Sequence, residues 1–214
     1  FFLPGSPYEG WYTDVAGTNG KFDDGVTTGQ TGSQTFSDVT VTADSMSVVH
    51  TTIVNGIQID QTYSVPIGSG TFTGDQQLNI SVTMTNTSGV NKDNIYYARS
   101  VDPDNLVNQS GSGSSYSTYN QIEAQYGTGG KLYSLVSATS PDARQTPAGT
   151  SYLGLFSSDS RSKVARYSGG FGTPASAAAV YAGSGLITGV ETSRTAGDAG
   201  IALAFNLGTL AAGA

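Results

Sequence analysis

The chain has no cysteine. Disulfides, thiol chemistry and cysteine-based zinc sites are therefore excluded, and stability has to come from burial and hydrogen bonding. Histidine is almost as scarce, with His50 the only one. A catalytic histidine needs an orienting acid and a nucleophile within reach. Neither is signalled around His50, which stands among Thr and Val and reads as a strand-face residue. Charged residues make up 12% of the chain, about half of the ~25% usual in globular proteins. The balance is acidic, with a net charge of −7 and a pI of about 4.4. Phosphate neutralisation needs clusters of Lys and Arg. The one basic cluster, Arg161, Lys163 and Arg166 beside Asp159, is too small for a nucleic-acid face. The same acidity disfavours anionic membranes, and no apolar run approaches the ~18 to 20 residues of a membrane span. No secretory signal is present, and the chain opens on Phe1 rather than Met. That reads as a processed or excised end and leaves export open.

What is abundant is Gly, Ser, Thr, Asn, Gln and Tyr, a composition that suits extracellular modules. The pattern predicts β-structure nearly throughout. Phe36, Val39 and Val41 mark one strand. Ser45–Val54 and Ile57–Val65 flank Asn55-Gly56, the strongest short hairpin signal. Leu78, Ile80, Val82 and Met84 alternate with polar residues up to Asn86. A turn over Thr87–Asp93 leads to Asn94–Val101, so these two strands are expected to pair antiparallel. Leu132–Ala138 and Tyr152–Phe156 read as short strands. In Ile201–Leu207 the large residues share one face, while Ala202 and Ala204 share the other, which predicts burial on both sides. Pro174–Ala182, followed by Gly183, is the one helical turn expected. Asp23-Asp24-Gly25 and Asn108–Ser117 read as loops. Pro4, Gly5, Pro7 and Gly10 make the aromatic N-terminal stretch a loop or edge strand anchored by Trp11. The expected fold is an antiparallel β-sandwich with long Gly/Ser/Thr-rich loops and at most one short helix. It is expected as a single domain over residues 1–214, with an arm, 1–15, packed on it.

The most unusual charge pattern lies in Asn94–Asn105. Ile95, Tyr97, Arg99 and Val101 alternate onto one strand face, and Tyr96, Ala98, Ser100 and Asp102 onto the other. Pro103 lacks a donor and is expected to stop the ladder. Asp102, Asp104 and Asn105 then offer three oxygen donors in four residues. Calcium, which takes about six to eight oxygens, is the ion such a turn suits. Two readings compete with it. In one, Asp102 caps the turn and Arg99 pairs with a carboxylate. In the other, two carboxylates with split pKa values act as acid and base. The calcium helix-loop-helix pattern itself fails, because Leu106 and Val107 stand where an oxygen donor and a glycine belong. Further along, Tyr119 with Asn120 beside it reads equally as a recognition group of large area and few rotors or as an edge-strand residue. Glu9 is a further candidate if its segment folds over the site, and Asp198 lies in a polar loop over 192–198.

Several segments together resemble a family of bacterial secreted domains. They are Tyr97 to Asp104 (Tyr-Ala-Arg-Ser-Val-Asp-Pro-Asp), Val82 to Thr87, Asp198 to Gly213, and the opening Pro4 to Gly10. The family is similar to the calcium-dependent peptide-binding domains of repeat-in-toxin adhesins. The resemblance implies an extracellular β-sandwich with Asp102 and Asp104 at the metal and Arg99 near the ligand. The family pattern continues past the point reached by Ala214, so a C-terminal strand is expected to be missing or supplied by a partner through strand addition.

The expected function is thus a non-enzymatic, calcium-assisted adhesion module binding a peptide or glycan on another cell surface. Its metal candidates are Asp102, Asp104 and Asn105, and its ligand candidates are Arg99, Tyr97, Tyr119, Asn120, Glu9 and Asp198. One alternative is a subunit of a surface layer, fibre or filament assembling with copies of itself through β-edges and the aromatic arm. Another is a carbohydrate-active enzyme using Glu9, Asp102 or Asp104. Nucleic acid and membrane insertion are not expected.

Overall fold

A computed structural model describes residues 2–23, 26–28, 35–42, 44–66, 77–105, 118–142, 149–168 and 176–214. Within its strands, the side chains of 2–8, 22–23, 26–28, 104–105, 140–142, 149–151 and 168 are outside that description. Asp24, Gly25 and the loop expected over 108–117 also lie outside the described residues. The protein is an all-β sandwich. It opens with β1 (Phe2–Val15), β2 (Thr18–Asp23) and β3 (Val26–Thr28). Next come β4 (Thr35–Phe36), β5 (Thr40–Val41), β6 (Ser45–Val54), β7 (Ile57–Pro66) and β8 (Asn79–Asn86). Then follow β9 (Lys92–Asn105), β10 (Thr118–Ala124), β11 (Ser134–Asp142), β12 (Gly149–Ser157) and β13 (Ser162–Ser168). A short helix α1 (Ala177–Ala182) precedes β14 (Thr195–Gly197) and β15 (Ala199–Leu210). The chain divides into two compact units, Phe1–Thr28 with Asn94–Gly208, and Gly29–Asp93 with Thr209–Ala214.

The first unit holds two sheets, one ordered β13-β15-β9-β1-β2-β3 and one ordered β12-β11-β10-β14. Alternation along β15 decides how they pack. Ile201, Leu203 and Phe205 join Val164 and Val101 against Ile122, Val136, Ala138 and Leu155 of the smaller sheet. Each fully buried Ile or Val contributes about 1.5–3 kcal/mol. On the other face Ala202, Ala204, Ala98 and Ala165 are small enough for α1 to lie on them, burying Ala177 and Val180 beside Tyr12 and Tyr167. Burial on both faces of the last strand is therefore as expected. A helix this short is unstable alone. It is held by packing and by its ends: Ser176 Oγ accepts the Ala179 N–H, Asp14 Oδ2 accepts the Ala178 N–H at 2.6 Å, and Gly183 closes it at φ 71°. Gly200, opposite Tyr167 in the register, has to be glycine, because a Cβ there would overlap the Tyr167 ring.

A segment between α1 and β14 ties the two sheets together. Arg166 and Ile187 exchange backbone hydrogen bonds at 2.9 Å, and the Glu191 N–H donates to Ile122 O at 2.9 Å. The Gln125 amide adds a second tie, donating to Val164 O and Thr188 O and accepting the Val164 N–H.

The second unit is one antiparallel sheet, β4-β6-β7-β8, with β5 also on β6. Asn55 and Gly56 take φ 47° and 79°, the two positive values that a type I′ hairpin turn requires. Val54, Ile57 and Ile59 are buried beside His50, Thr52 and Gln61. His50 is a buried strand-face residue as expected, stacked on Phe36 at 4.6 Å and 3.1 Å from the Gln61 amide. Asn86, wholly buried, fastens the tail. Its amide nitrogen reaches Val90 O, Leu210 O and Ala211 O, while its oxygen accepts from Ser88 Oγ and N.

Four expectations are corrected. β8 pairs with β7 and β9 with β1, so the strands on either side of Thr87–Asp93 do not pair with each other. Their connection is spent on Asn86, which bonds Ser88 and Val90 locally rather than directing a hairpin. The N-terminal stretch is an edge strand only in part: residues 2–9 pair with β9 alone, as expected, whereas residues 10–15 lie between β2 and β9. Pro103 does not stop the ladder either. β9 runs on to Asn105, and the register jumps from Tyr8↔Asp102 to Leu3↔Asp104. The bulge of Pro4–Pro7 falls opposite Pro103, the place where a missing donor is tolerated. Phe36 and Val41 fall in two separate two-residue strands with Val39 in neither, because the Ser37 hydroxyl takes the Val49 N–H.

Candidate functional site

The expected corner is divided by its own sheet. Trp11 stands opposite Arg99 and Thr13 opposite Tyr97. These side chains share the face of β9 that carries Val101 into the core between the sheets. The Trp11 and Tyr97 rings lie 6.3 Å apart, and Tyr97 meets Phe205 at 6.4 Å. Arg99 is buried among them. Its Nη1 donates to Tyr97 Oη at 3.4 Å and its Nη2 to Glu9, whose carboxylate is half exposed. A charge that deep requires a partner, and Glu9 supplies it. Asp102 lies on the opposite face at 5% exposure, in the row of Ser100, whose Oγ donates to Tyr12 Oη at 3.3 Å. Asp104 and Asn105 are in register with Leu3 and Phe2, and their side chains lie outside the described residues.

Calcium needs six to eight oxygens. The described residues place one carboxylate, Asp102, at this corner, and among them no three His, Cys, Asp or Glu come together. Of the other candidates, Tyr119 is exposed on β10, while Asn120, next to it, is fully buried and donates to Thr118 O and Oγ1. Asp198 is half-buried between β14 and β15. The structure thus brings Glu9, Tyr97 and Arg99 together and separates them from Asp102.

Of a second arrangement, sequence singled out only Tyr119. The outer face of the four-stranded sheet carries Tyr119 and Glu123 from β10, Ser137 from β11, and Tyr152 and Phe156 from β12. Register aligns Tyr119 with Thr139 and Tyr152 in one row, and Gln121 with Ser137 and Gly154 in the next. At the centre Glu123 accepts from Arg194 Nη2 at 2.7 Å, from Ser137 Oγ, and from Tyr152 Oη at 3.5 Å. Arg194 Nη1 donates to Ser137 Oγ at 2.9 Å and Tyr119 O at 3.3 Å, and its guanidinium lies 5.8 Å from the Tyr152 ring centre. Burial, with the nearby Glu123 charge, outweighs the Ser137 hydrogen bond and Arg194 and pushes the Tyr152 phenol up, so it stays a donor. Gly154 shapes the face. A Cβ there would come 2.9 Å from Tyr152 Cε1 and 3.2 Å from its Oη, so the ring lies down across the glycine instead of standing off the sheet. Tyr119, Tyr152 and Phe156 are 42%, 52% and 59% exposed, an unusual concentration of aromatic surface on one sheet face. The signals that could have found it are the even spacing of Tyr119 and Glu123, and of two aromatics about Gly154.

All three bonds to Glu123 fall on its Oε1. No family model, no curated protein and no solved structure matches the chain. No helix among the described residues is long and apolar enough to cross a membrane.

Proposed function

We propose that the chain is a binding module of an extracellular surface protein, whose ligand rests on the outer face of the four-stranded sheet. One observation carries this reading: exposed Tyr119, Tyr152 and Phe156 surround an Arg194–Glu123 pair whose hydrogen-bonding groups are already oriented. Aromatic residues of few rotors around fixed polar groups are what recognition surfaces use. The charge-poor, Gly/Ser/Thr-rich composition and the resemblance to secreted adhesin domains support the extracellular setting. The test is a screen of the purified protein against a glycan array and a random peptide library. Ligands found are re-measured on Tyr152→Ala, with calcium and with a chelator. At least tenfold weaker binding by Tyr152→Ala is expected; unchanged affinity for every ligand would refute the reading. Loss of binding in chelator, and its abolition by Asp102→Ala, would assign calcium a part through Asp102.

A second reading, self-assembly through sheet edges, rests on β8. This strand holds no charge and no proline, the residues that guard edges, and among the described strands it pairs only with β7. Growth of filaments with concentration would select it, and a monomer over the whole concentration range would exclude it.

A further inference from the structure

We infer that the ligand of the outer sheet face is an uncharged oligosaccharide. The inference rests on the reading above, and three observations take it further.

The first is what the face lacks. The backbone donors and acceptors of β10 and β11 are used in ladders with a neighbour on each side, and β12, at the edge, gives one side of its backbone to β11. An extended peptide is usually recognised through its main chain, by adding a strand to an edge. A ligand lying on the face, over the side chains of Glu123, Ser137 and Tyr152, meets no such partners, so recognition there comes from side chains.

The second is charge. Arg194 and Glu123 face each other at 2.7 Å, so the centre presents N–H donors and carboxylate lone pairs without net charge. An anionic ligand would have to compete with Glu123 for Arg194, and a cationic one with Arg194 for Glu123. A hydroxyl competes with neither. It donates to a spare carboxylate lone pair or accepts from a guanidinium N–H while the pair stays intact.

The third is shape. A sugar ring has an apolar face of C–H groups and a rim of hydroxyls. C–H groups carry slight positive charge and suit the negative face of an aromatic ring. Tyr152, lying across Gly154, presents its ring along the sheet rather than edge-on, with Glu123, Ser137 and Arg194 beside it for the hydroxyls. Tyr119 stands in the same row two strands away, about 10 Å at the usual strand spacing. That separation suits a chain of sugars rather than one ring. Phe156, four residues along the same face of β12, extends the surface in the other direction.

The experiment uses the intact protein against neutral oligosaccharides, sulfated and uronate-containing oligosaccharides, and the peptide library. Neutral hits are expected, with affinity nearly independent of salt up to 0.5 M, reduced at least tenfold by Tyr152→Ala and only a few-fold by Tyr152→Phe. Gly154→Val, which lifts the ring, is expected to weaken binding as Tyr152→Ala does, with its melting curve reporting whether the fold is kept. Tyr119→Ala should weaken longer oligosaccharides more than shorter ones. Hits confined to anionic glycans, a blank glycan array, or neutral hits indifferent to Tyr152→Ala would each overturn the inference. If peptides bind and lose affinity on Tyr152→Ala while no glycan binds, the face remains the site and only its ligand class is wrong. If no ligand of any class responds to Tyr152→Ala, both fall.

Discussion

The strongest consequence of the fold for stability lies at Glu191. Its carboxylate takes Arg166 Nη2 at 2.6 Å, Arg166 Nε at 3.2 Å and the Ile122 N–H at 2.9 Å. The two side chains are 7% and 17% exposed. Glu191→Gln keeps the size and an oxygen for the Ile122 N–H, but it strands the Arg166 charge in a site closed to water. Removing one partner of a buried pair costs about 3–5 kcal/mol, most of it the uncompensated charge. For a unit of this size that lowers Tm by about 10 °C. Adding Arg166→Met removes the stranded charge and should restore most of the loss, since well-packed apolar replacements of buried pairs are often neutral. Calorimetry or urea denaturation of the two single variants and the double variant measures this. The pH arm has a definite sign. Burial alone would raise the Glu191 carboxyl, but the Arg166 hydrogen bond, the Ile122 N–H and the Arg166 charge outweigh it and hold it below its ordinary 4.5. A folded pKa below the unfolded one adds stability that is complete above pH 4.5 and is lost as pH falls through the folded value. Glu191→Gln should therefore flatten the acid limb of the stability curve. A single variant that costs under about 1 kcal/mol and keeps the parental acid limb would refute the reasoning.

Other expectations follow from single contacts. Asn86→Ala removes an amide that serves three carbonyls with two N–H bonds, and leaves them buried or to be rehydrated, at about 2–4 kcal/mol; urea denaturation should show the smaller unit unfolding first. Gly200→Ala forces a methyl group into the Tyr167 ring and should cost about 1–3 kcal/mol, whereas Gly197→Ala, with open space at its Cβ, should stay within about 0.5 kcal/mol by the same thermal assay. Asp14→Ala leaves the Ala178 N–H without its acceptor and should cost about 1 kcal/mol, with faster hydrogen exchange confined to the helix.

How much of this was legible in the chain follows from what strand periodicity can and cannot carry. It carries local pattern well. The Asn-Gly turn, the two-faced last strand and the small helix ending at Gly183 all came from windows of ten residues or fewer, where backbone sterics and side-chain size decide. Pairing partners are another matter. Short sequence separation favoured a β8–β9 hairpin, but β9 pairs with β1 across about two-fifths of the chain, where Trp11 stands opposite Arg99 and Glu9 takes its charge. The outer-face cluster was invisible for the same reason. Arg194 and Glu123 are 71 positions apart and meet only because β14 returns beside β10.

Parity also explains why the most conspicuous motif proved a divided one. Arg99 and Asp102 differ by three positions, so on a continuous strand they must point to opposite sides of the sheet. They could have cooperated only if Pro103 had ended the strand and let the chain curl. The bulge in β1 absorbs the proline instead, the strand continues, and Arg99 is left to Glu9 from the neighbouring strand. Tyr119 and Glu123, like Tyr152 and Phe156, differ by even numbers and fall on one face without any special turn. In a protein built almost wholly of strands, a run of functional residue types within a few positions is weak support for a shared site. Residues at even spacing on neighbouring strands, together with a glycine that lets an aromatic ring lie down, are the stronger sign.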